Sequence, residues 1–84
     1  MQQEREHQER QVVAVIPKGE KHEIRVSLTK FKGQRLCDLR LFVLKGGDWI
    51  PTRKGCTVGV EQLEELEEAV GKLRNAHDQT THPF

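Results

Sequence analysis

The sequence has no hydrophobic run long enough to cross a membrane. Its longest apolar stretch is VVAVI at residues 12–16, whereas a membrane-spanning helix needs about 18 apolar residues. The first ten residues, MQQEREHQER, are polar and mixed in charge, unlike a signal peptide. These absences predict a soluble intracellular protein with no membrane partner.

Catalytic signatures are missing as well. The sequence contains no GxGxxG, P-loop, GxSxG or HExxH motif, the patterns associated with nucleotide binding, nucleophilic catalysis and zinc-dependent hydrolysis. Glutamates cluster only at residues 61–68, and such a charge run is usually a solvated helix face. We therefore predict that the protein is not an enzyme and needs no cofactor.

Cysteine is scarce, with only Cys37 and Cys56 present and no CxxC pair. Neither a disulfide framework nor a zinc site is indicated, so both residues are expected to be free thiols buried in a core. His77 and His82 are five residues apart in a segment without a periodic pattern, and we predict no metal site there.

The formal net charge is only +1, but the charges are segregated along the chain. Residues 18–54 carry ten basic and four acidic side chains, whereas residues 55–84 carry two basic and six acidic ones. The middle of the chain is therefore expected to form a basic surface whose local field the near-neutral total conceals.

Residues 12–16 form a short apolar, β-branched run closed by Pro17, and residues 22–29 and 37–44 alternate apolar and polar residues, as half-buried strands do. Trp49 and Ile50 begin a return strand that Pro51 confines to an edge or cuts short. A basic turn is predicted at residues 52–55, followed by one more brief strand at 56–60. Glycine-containing turns are predicted at FKGQ (31–34) and KGGD (45–48). In the third segment, Asp38, Arg40 and Phe42 are expected to face outward, opposite the apolar side chains that alternate with them.

From about Glu61 the apolar period changes from two to nearly 3.6, which predicts an amphipathic helix. Its apolar stripe, expected to lie in a core or a dimer interface, consists of Leu63, Leu66, Val70 and Leu73. The order of elements predicts an α+β domain, with a four-stranded antiparallel sheet and one C-terminal helix on one of its faces.

One helix stripe and one sheet face make a thin core for a chain of 84 residues. Burial of the remaining apolar surface against a second copy predicts a homodimer with C2 symmetry. Residues 11–74 are expected to form the domain, between a disordered N-terminal tail (1–10) and a flexible C-terminal tail (75–84).

The basic middle segment also contains aromatic side chains. Lysine and arginine neutralise phosphates and rings stack on unpaired bases, so a surface that binds a single strand needs both. Both kinds occur between residues 30 and 54: Lys30, Phe31, Lys32, Arg35, Arg40, Phe42, Trp49, Arg53 and Lys54. By composition alone, a solvated basic sheet fits equally well, and the rings fit a sheet end or a dimer contact.

Three segments carry a resemblance to a known family. IRVSLTKFKGQRLCDLRLF (24–42), WIPTRKG (49–55) and EQLEELEEAV (61–70) resemble, in order and spacing, the C-terminal domain of the transcriptional coactivator positive cofactor four, also called p15. The bacterial members look closest. The resemblance implies a dimer of curved four-stranded antiparallel sheets, each followed by a helix at the dimer interface. It also implies binding of single-stranded DNA, or of melted duplex, with little regard for sequence.

The resemblance also implies which residues bind. It assigns a stacking role to Phe31, a phosphate contact to Lys32, and further contacts to Arg40, Arg53 and Lys54. Where eukaryotic members have lysine, tryptophan and lysine, this chain has Gln34, Val43 and Ile50, which predicts weaker binding. Trp49, across the hairpin, is expected to restore a stacking surface. The predicted nucleic-acid-binding set is thus Phe31, Lys32, Gln34, Arg40, Trp49, Arg53 and Lys54.

These observations favour a dimeric single-stranded DNA binding protein that acts as a transcription coactivator or regulator. Two alternatives stay open: a protein-interaction module that docks on the transcription machinery, and RNA as the ligand, because stacking and phosphate contacts ignore the 2′-hydroxyl. The expected location is the cytoplasm, at the nucleoid, for a bacterial protein and the nucleus for a eukaryotic one.

Overall fold

The computed structural model describes residues 8–79. Four antiparallel strands form one sheet in the order β1-β2-β3-β4, and a helix follows them, which confirms the predicted α+β class. The elements are β1 (Gln8–Pro17), β2 (His22–Phe31), β3 (Gln34–Lys45), β4 (Asp48–Gly59), a 3₁₀ turn (Val60–Gln62) and α1 (Leu63–Gln79).

Two elements extend into the segments that were predicted to be tails. The first strand begins at Gln8, inside the predicted N-terminal tail, because its backbone pairs with β2 as far as Phe31 whatever the polarity of its side chains. The helix continues to Gln79, inside the predicted C-terminal tail, because residues 75–79 include no glycine or proline to end it. Residues 1–7 and 80–84 of those tails, with His82, lie outside the described residues.

The β2–β3 and β3–β4 hairpins close through two-residue turns at the predicted places. Lys32 and Gly33 have φ values of 53° and 81°, and Gly46 and Gly47 have values of 58° and 85°. Two successive positive φ values are typical of the type I′ turn, whose twist matches that of the flanking strands. Lys32 therefore occupies the tip of the β2–β3 hairpin.

The last strand runs through Pro51, so the predicted basic turn between two short strands is wrong. Its register passes from the pair Arg40 and Gly55 to the pair Phe42 and Pro51, which leaves residues 52–54 opposite a single residue of β3. The extra residues form a bulge, here called the β4 bulge. Proline is tolerated because β4 is an edge strand.

Strand alternation gives the sheet two faces, because residues directly opposite each other in antiparallel strands point the same way. The polar face carries, on β2 to β4, Glu23, Arg25, Ser27, Thr29, Phe31, Gln34, Leu36, Asp38, Arg40, Phe42, Leu44, Trp49, Pro51 and Thr57. The apolar face carries Ile24, Val26, Leu28, Cys37, Leu39, Leu41, Val43, Ile50, Cys56 and Val58, with His22, Lys30, Arg35, Lys45 and Asp48 toward its ends.

The polar face is the more deeply buried of the two within one chain. Ser27, Thr29, Asp38 and Phe42 are between 2% and 5% exposed, whereas Cys37 is the one buried residue of the apolar face among the described residues. Asp38 and Phe42 thus lie on the predicted face but do not reach solvent. The reason is that other side chains of the polar face enclose them, while no element within residues 8–79 packs over the apolar face.

The helix covers neither face of the sheet. It packs against the 3₁₀ turn, which itself touches β3, and none of its residues is buried. Leu63, Val70 and Leu73 are 45%, 55% and 70% exposed, and Leu66 is half-buried. The predicted packing of this stripe on a sheet face is therefore wrong for a single chain, because the helix leaves the sheet directly after the turn.

Both cysteines are free, but only Cys37 is buried. The expectation of burial is wrong for Cys56, because this residue lies on the uncovered apolar face of an edge strand. Within residues 8–79, no group of three or more histidine, cysteine, aspartate or glutamate side chains is arranged to hold a metal. None of the helices in that range is long and apolar enough to span a membrane.

Candidate nucleic-acid interface

The centre of the polar face is the carboxylate of Asp38, which accepts four hydrogen bonds from three strands. Its Oδ1 accepts from Nη2 of Arg40 at 2.9 Å and from Oγ1 of Thr57 at 3.0 Å. Its Oδ2 accepts from Nε of Arg40 and from Nη1 of Arg10, both at 3.2 Å. Asp38 therefore connects β1, β3 and β4 across the sheet.

Burial alone would raise the pKa of Asp38. The hydrogen bonds donated by Arg40, Arg10 and Thr57 favour the ionised form and outweigh burial, so the pKa lies below its ordinary value. The carboxylate is thus charged at neutral pH, and each of its oxygens already accepts two hydrogen bonds.

Arg40 also holds the β4 bulge in place. Its Nη1 donates to the carbonyl oxygen of Thr52 at 3.1 Å. The Thr52 hydroxyl donates to the carbonyl oxygen of Leu41 at 2.8 Å and accepts from the backbone N–H of Lys54 at 3.1 Å. These hydrogen bonds hold the bulge in place at Thr52, while Arg53 and Lys54 are exposed.

A ring and a cation lie together at the β2–β3 hairpin. Phe31 is 43% exposed, and Nζ of Lys32 lies 5.4 Å from the centroid of its ring. Gln34 lies directly opposite Phe31 and is exposed on the same face. This end of the sheet offers an accessible ring beside a positive charge, the pair of groups that a nucleotide contacts through its base and its phosphate.

The other two rings of the polar face are covered by an arginine. The guanidinium of Arg25 lies 4.4 Å from the ring centroid of Phe42 and 6.0 Å from that of Trp49, distances typical of cation–π contacts. Nε of Arg25 also donates to Glu23 at 2.6 Å. Phe42 is 5% exposed, so a base cannot reach its ring, whereas Trp49 is half-buried.

The predicted binding residues occupy the polar face, the adjoining β2–β3 hairpin and the β4 bulge. Four lie on the polar face, one lies at the tip of the adjoining hairpin, and two lie in the β4 bulge: Phe31, Gln34, Arg40 and Trp49, then Lys32, then Arg53 and Lys54. The direction of Trp49, which the sequence left open, is toward the polar face. Val43 and Ile50, two positions at which the resemblance implies lost contacts, pair with each other on the apolar face.

Two arginines of this face were not predicted. Arg25 alternates with Ile24 and Val26, so the strand pattern was a usable signal for its position on the polar face. Arg10 gave no such signal, because it belongs to the segment that composition marks as a tail, and only the pairing with Thr29 draws it into the sheet.

Comparisons with known proteins were consistent with one another. The family model described as Transcriptional Coactivator p15 (PC4) matches residues 18–69. The tetragonal crystal structure of a PC4 homolog from Burkholderia pseudomallei aligns with a TM-score of 0.74 at 28% identity, over 79% of this chain and 98% of the homolog. The orthorhombic structure aligns with a TM-score of 0.69 at 30% identity, over 83% and 92%. No curated protein matches the chain.

Proposed function

Because the chain belongs to the Transcriptional Coactivator p15 (PC4) family, we propose that it is a non-enzymatic protein that binds single-stranded DNA, or the unpaired strands of melted duplex, without regard to sequence. We further propose that it acts in transcription. The observation that carries the proposal is that an accessible ring, that of Phe31, lies beside the charged Nζ of Lys32 at the end of the polar face.

The proposed contacts divide into two kinds. Phe31 stacks on a base, and Trp49 adds a second, partly covered surface. Lys32, Arg53 and Lys54 contact phosphates, since their side chains are exposed and carry the charge that a polyanion requires. Contacts with phosphates and with ring faces carry no base code, which accounts for the proposed lack of sequence preference.

We propose that the working unit is a homodimer. In the part of the chain that the structure describes, no element covers the apolar face, and Leu63, Leu66 and Val70 line a shallow groove of about 470 Å³ on α1. Contiguous apolar patches on a protein surface commonly mark interaction sites. A second copy that covers the stripe would bury it without touching the polar face, which would leave two binding surfaces for nucleic acid.

A titration tests the proposed ligand. Fluorescence anisotropy with oligo-thymidine, an RNA of matched length and a DNA duplex, each at several salt concentrations, should rank single-stranded DNA above duplex. The logarithm of the affinity should fall by about 0.7 per logarithmic unit of salt for each phosphate contacted on a single strand. Failure of the wild-type protein to bind oligo-thymidine in low salt would refute the proposal, and tighter binding to the RNA would reassign the ligand.

The double variant Arg53→Ala, Lys54→Ala tests the β4 bulge. It should reduce the salt slope by about 0.7 for each phosphate contact that is lost. A matched control is Lys72→Ala, Arg74→Ala, which removes one lysine and one arginine from α1 and should leave the slope unchanged. Equal slopes for the wild-type protein and the bulge variant would refute the placement of these contacts.

Transcription machinery is a proposed partner, and a nuclease-treated pull-down tests it. A contact that survives digestion of nucleic acid is a protein contact, whereas one that disappears was bridged by DNA or RNA. Since the similar solved structures are of a bacterial protein, the proposed location is the nucleoid.

A further inference from the structure

An arginine of the first strand reaches into the centre of the polar face. Arg10 lies directly opposite Thr29 of β2, yet its Nη1 bonds to Asp38 on β3, the next strand over. The short side chains of Ser27 and Thr29 lie between them, which allows a long side chain to pass over β2. These two residues are almost fully buried, as expected if the Arg10 side chain lies over them.

Asp38 has enough hydrogen-bond donors without Arg10. Arg40 and Thr57 already supply three hydrogen bonds to the carboxylate. Arg10 shares Oδ2 with Arg40, so two guanidinium groups converge on one negative charge and the cluster keeps a net positive charge. Two like charges held this close repel each other, and a nearby anion would relieve that repulsion.

Arg10 retains donors for such an anion. Among the described residues, the guanidinium of Arg10 donates one side-chain hydrogen bond, to Asp38, out of the five N–H groups that an arginine carries. Its side chain is 33% exposed, whereas that of Asp38 is 5% exposed. The carboxylate is therefore inaccessible, while part of the guanidinium faces solvent.

The unused donors lie beside the proposed stacking surface. Arg10 lines a cavity of about 390 Å³ whose walls include the ring of Phe31 and the side chain of Pro51. A base stacked on Phe31 would bring its own backbone into the neighbourhood of this guanidinium. Charge-assisted, often bidentate hydrogen bonds make arginine well suited to a phosphate.

We propose that Arg10 is a phosphate-binding residue of the interface, contributed by β1 and held in position by Asp38. This inference rests on the proposed function. It adds a residue outside residues 18–69, the segment matched by the family model, and outside β2 to β4, where all the other proposed contacts lie. The ligand is the phosphodiester backbone of a single strand.

The test is the salt dependence of oligo-thymidine binding by Arg10→Gln, Arg10→Lys and the wild-type protein. Loss of one phosphate contact should lower the slope of log affinity against log salt by about 0.7 in Arg10→Gln, and Arg10→Lys should restore it. Arg74→Gln is the matched control, since it removes one arginine from α1. Thermal unfolding should show that Arg10→Gln stays folded, because Arg40 and Thr57 still donate three hydrogen bonds to the Asp38 carboxylate.

The possible failures are distinguishable. If the wild-type protein binds and Arg10→Gln has the wild-type slope, the role of Arg10 is refuted while the proposed function stands. If Arg74→Gln lowers the slope as much as Arg10→Gln, the effect is one of general charge and the inference is again refuted. If the wild-type protein does not bind oligo-thymidine at all, both proposals fall together.

Discussion

Arg40 donates two hydrogen bonds to the carboxylate of Asp38, from Nε to Oδ2 at 3.2 Å and from Nη2 to Oδ1 at 2.9 Å. This fork fixes the plane of the guanidinium, and the third bond, from Nη1 to Thr52, ties the same group to the β4 bulge. The pair therefore connects the centre of the polar face to the exposed cations at its edge. Loss of Arg40 should affect the shape of the proposed interface as well as its charge.

The first prediction concerns pH. Because the pKa of Asp38 is lower in the folded state than in the unfolded state, its ionisation stabilises the fold above the unfolded value of about 3.8. That contribution is lost as the pH falls through the folded-state pKa. Asp38→Asn should cost about 2 to 4 kcal/mol at pH 7, since it disrupts charged hydrogen bonds at a buried site.

Urea unfolding at pH 7 and pH 3, at one protein concentration, measures this effect. The difference between the wild-type protein and Asp38→Asn should shrink at the lower pH, and Asp48→Asn, at the exposed first residue of β4, should show little difference at either. A difference that is constant across the two values would contradict the argument.

The second prediction concerns Gly55, which faces Arg40 across β3 and β4. A Cβ at this position would run into the carbonyl oxygen of Leu39 and would lie 2.8 Å from the Cα of Arg40. Gly55→Ala should therefore push β4 away from β3 at the bulge and lower the unfolding temperature. Gly71→Ala is the control, because nothing lies within 4 Å of the added methyl there; alanine also favours the helix by up to about 1 kcal/mol. If both variants unfold at the wild-type temperature, the close approach at Gly55 is wrong.

The third prediction separates two phenylalanines of the polar face. Phe31→Ala should leave stability nearly unchanged and reduce the affinity for oligo-thymidine by about 1 to 3 kcal/mol, the usual contribution of one stacked base. Phe42→Ala should instead cost about 3 to 5 kcal/mol of stability, because this ring is buried beneath Arg25. Chemical denaturation and anisotropy on both variants check the pair, and an affinity unaffected by Phe31→Ala would eliminate this ring as a stacking surface.

The fourth prediction concerns assembly. Leu66→Asp, Val70→Asp places two carboxylates on the apolar stripe of α1 and should convert the proposed dimer to a monomer in sedimentation velocity. Glu64→Asp, Glu68→Asp changes two residues at the same spacing on the charged part of the helix and should leave the mass unchanged. A wild-type protein that sediments as a monomer, or a stripe variant that stays dimeric, would show that this helix does not join two copies.

Local patterns were sufficient to predict most of the fold. Alternation gave the second and third strands, the paired glycines gave the β3–β4 turn, and the change of period gave the helix. These patterns did not predict that β1 begins at Gln8 or that β4 continues through Pro51, because both follow from backbone pairing. Side-chain pattern could not reveal either, because hydrogen bonds of the main chain do not depend on side-chain polarity.

Composition and family resemblance selected the residues of the candidate site, with Phe31 at a hairpin and Arg53 and Lys54 in a basic turn. They could not predict how the side chains of these strands pair with one another. They could not reveal that Phe42 is covered by Arg25, or that Arg40 is engaged by Asp38 and Thr52, since these depend on which side chains meet across strands. The contact of Arg10 could not be predicted for the same reason, because its partner Asp38 is 28 positions away in the sequence.

The simple up-and-down order of the strands has a consequence for biosynthesis. Each strand pairs only with its neighbour in sequence, so the sheet can grow from its first hairpin onward while the polypeptide is still being made. The helix is made after all four strands. Assembly through that helix would thus be postponed until the nascent sheet is complete, which would protect half-made chains from joining prematurely.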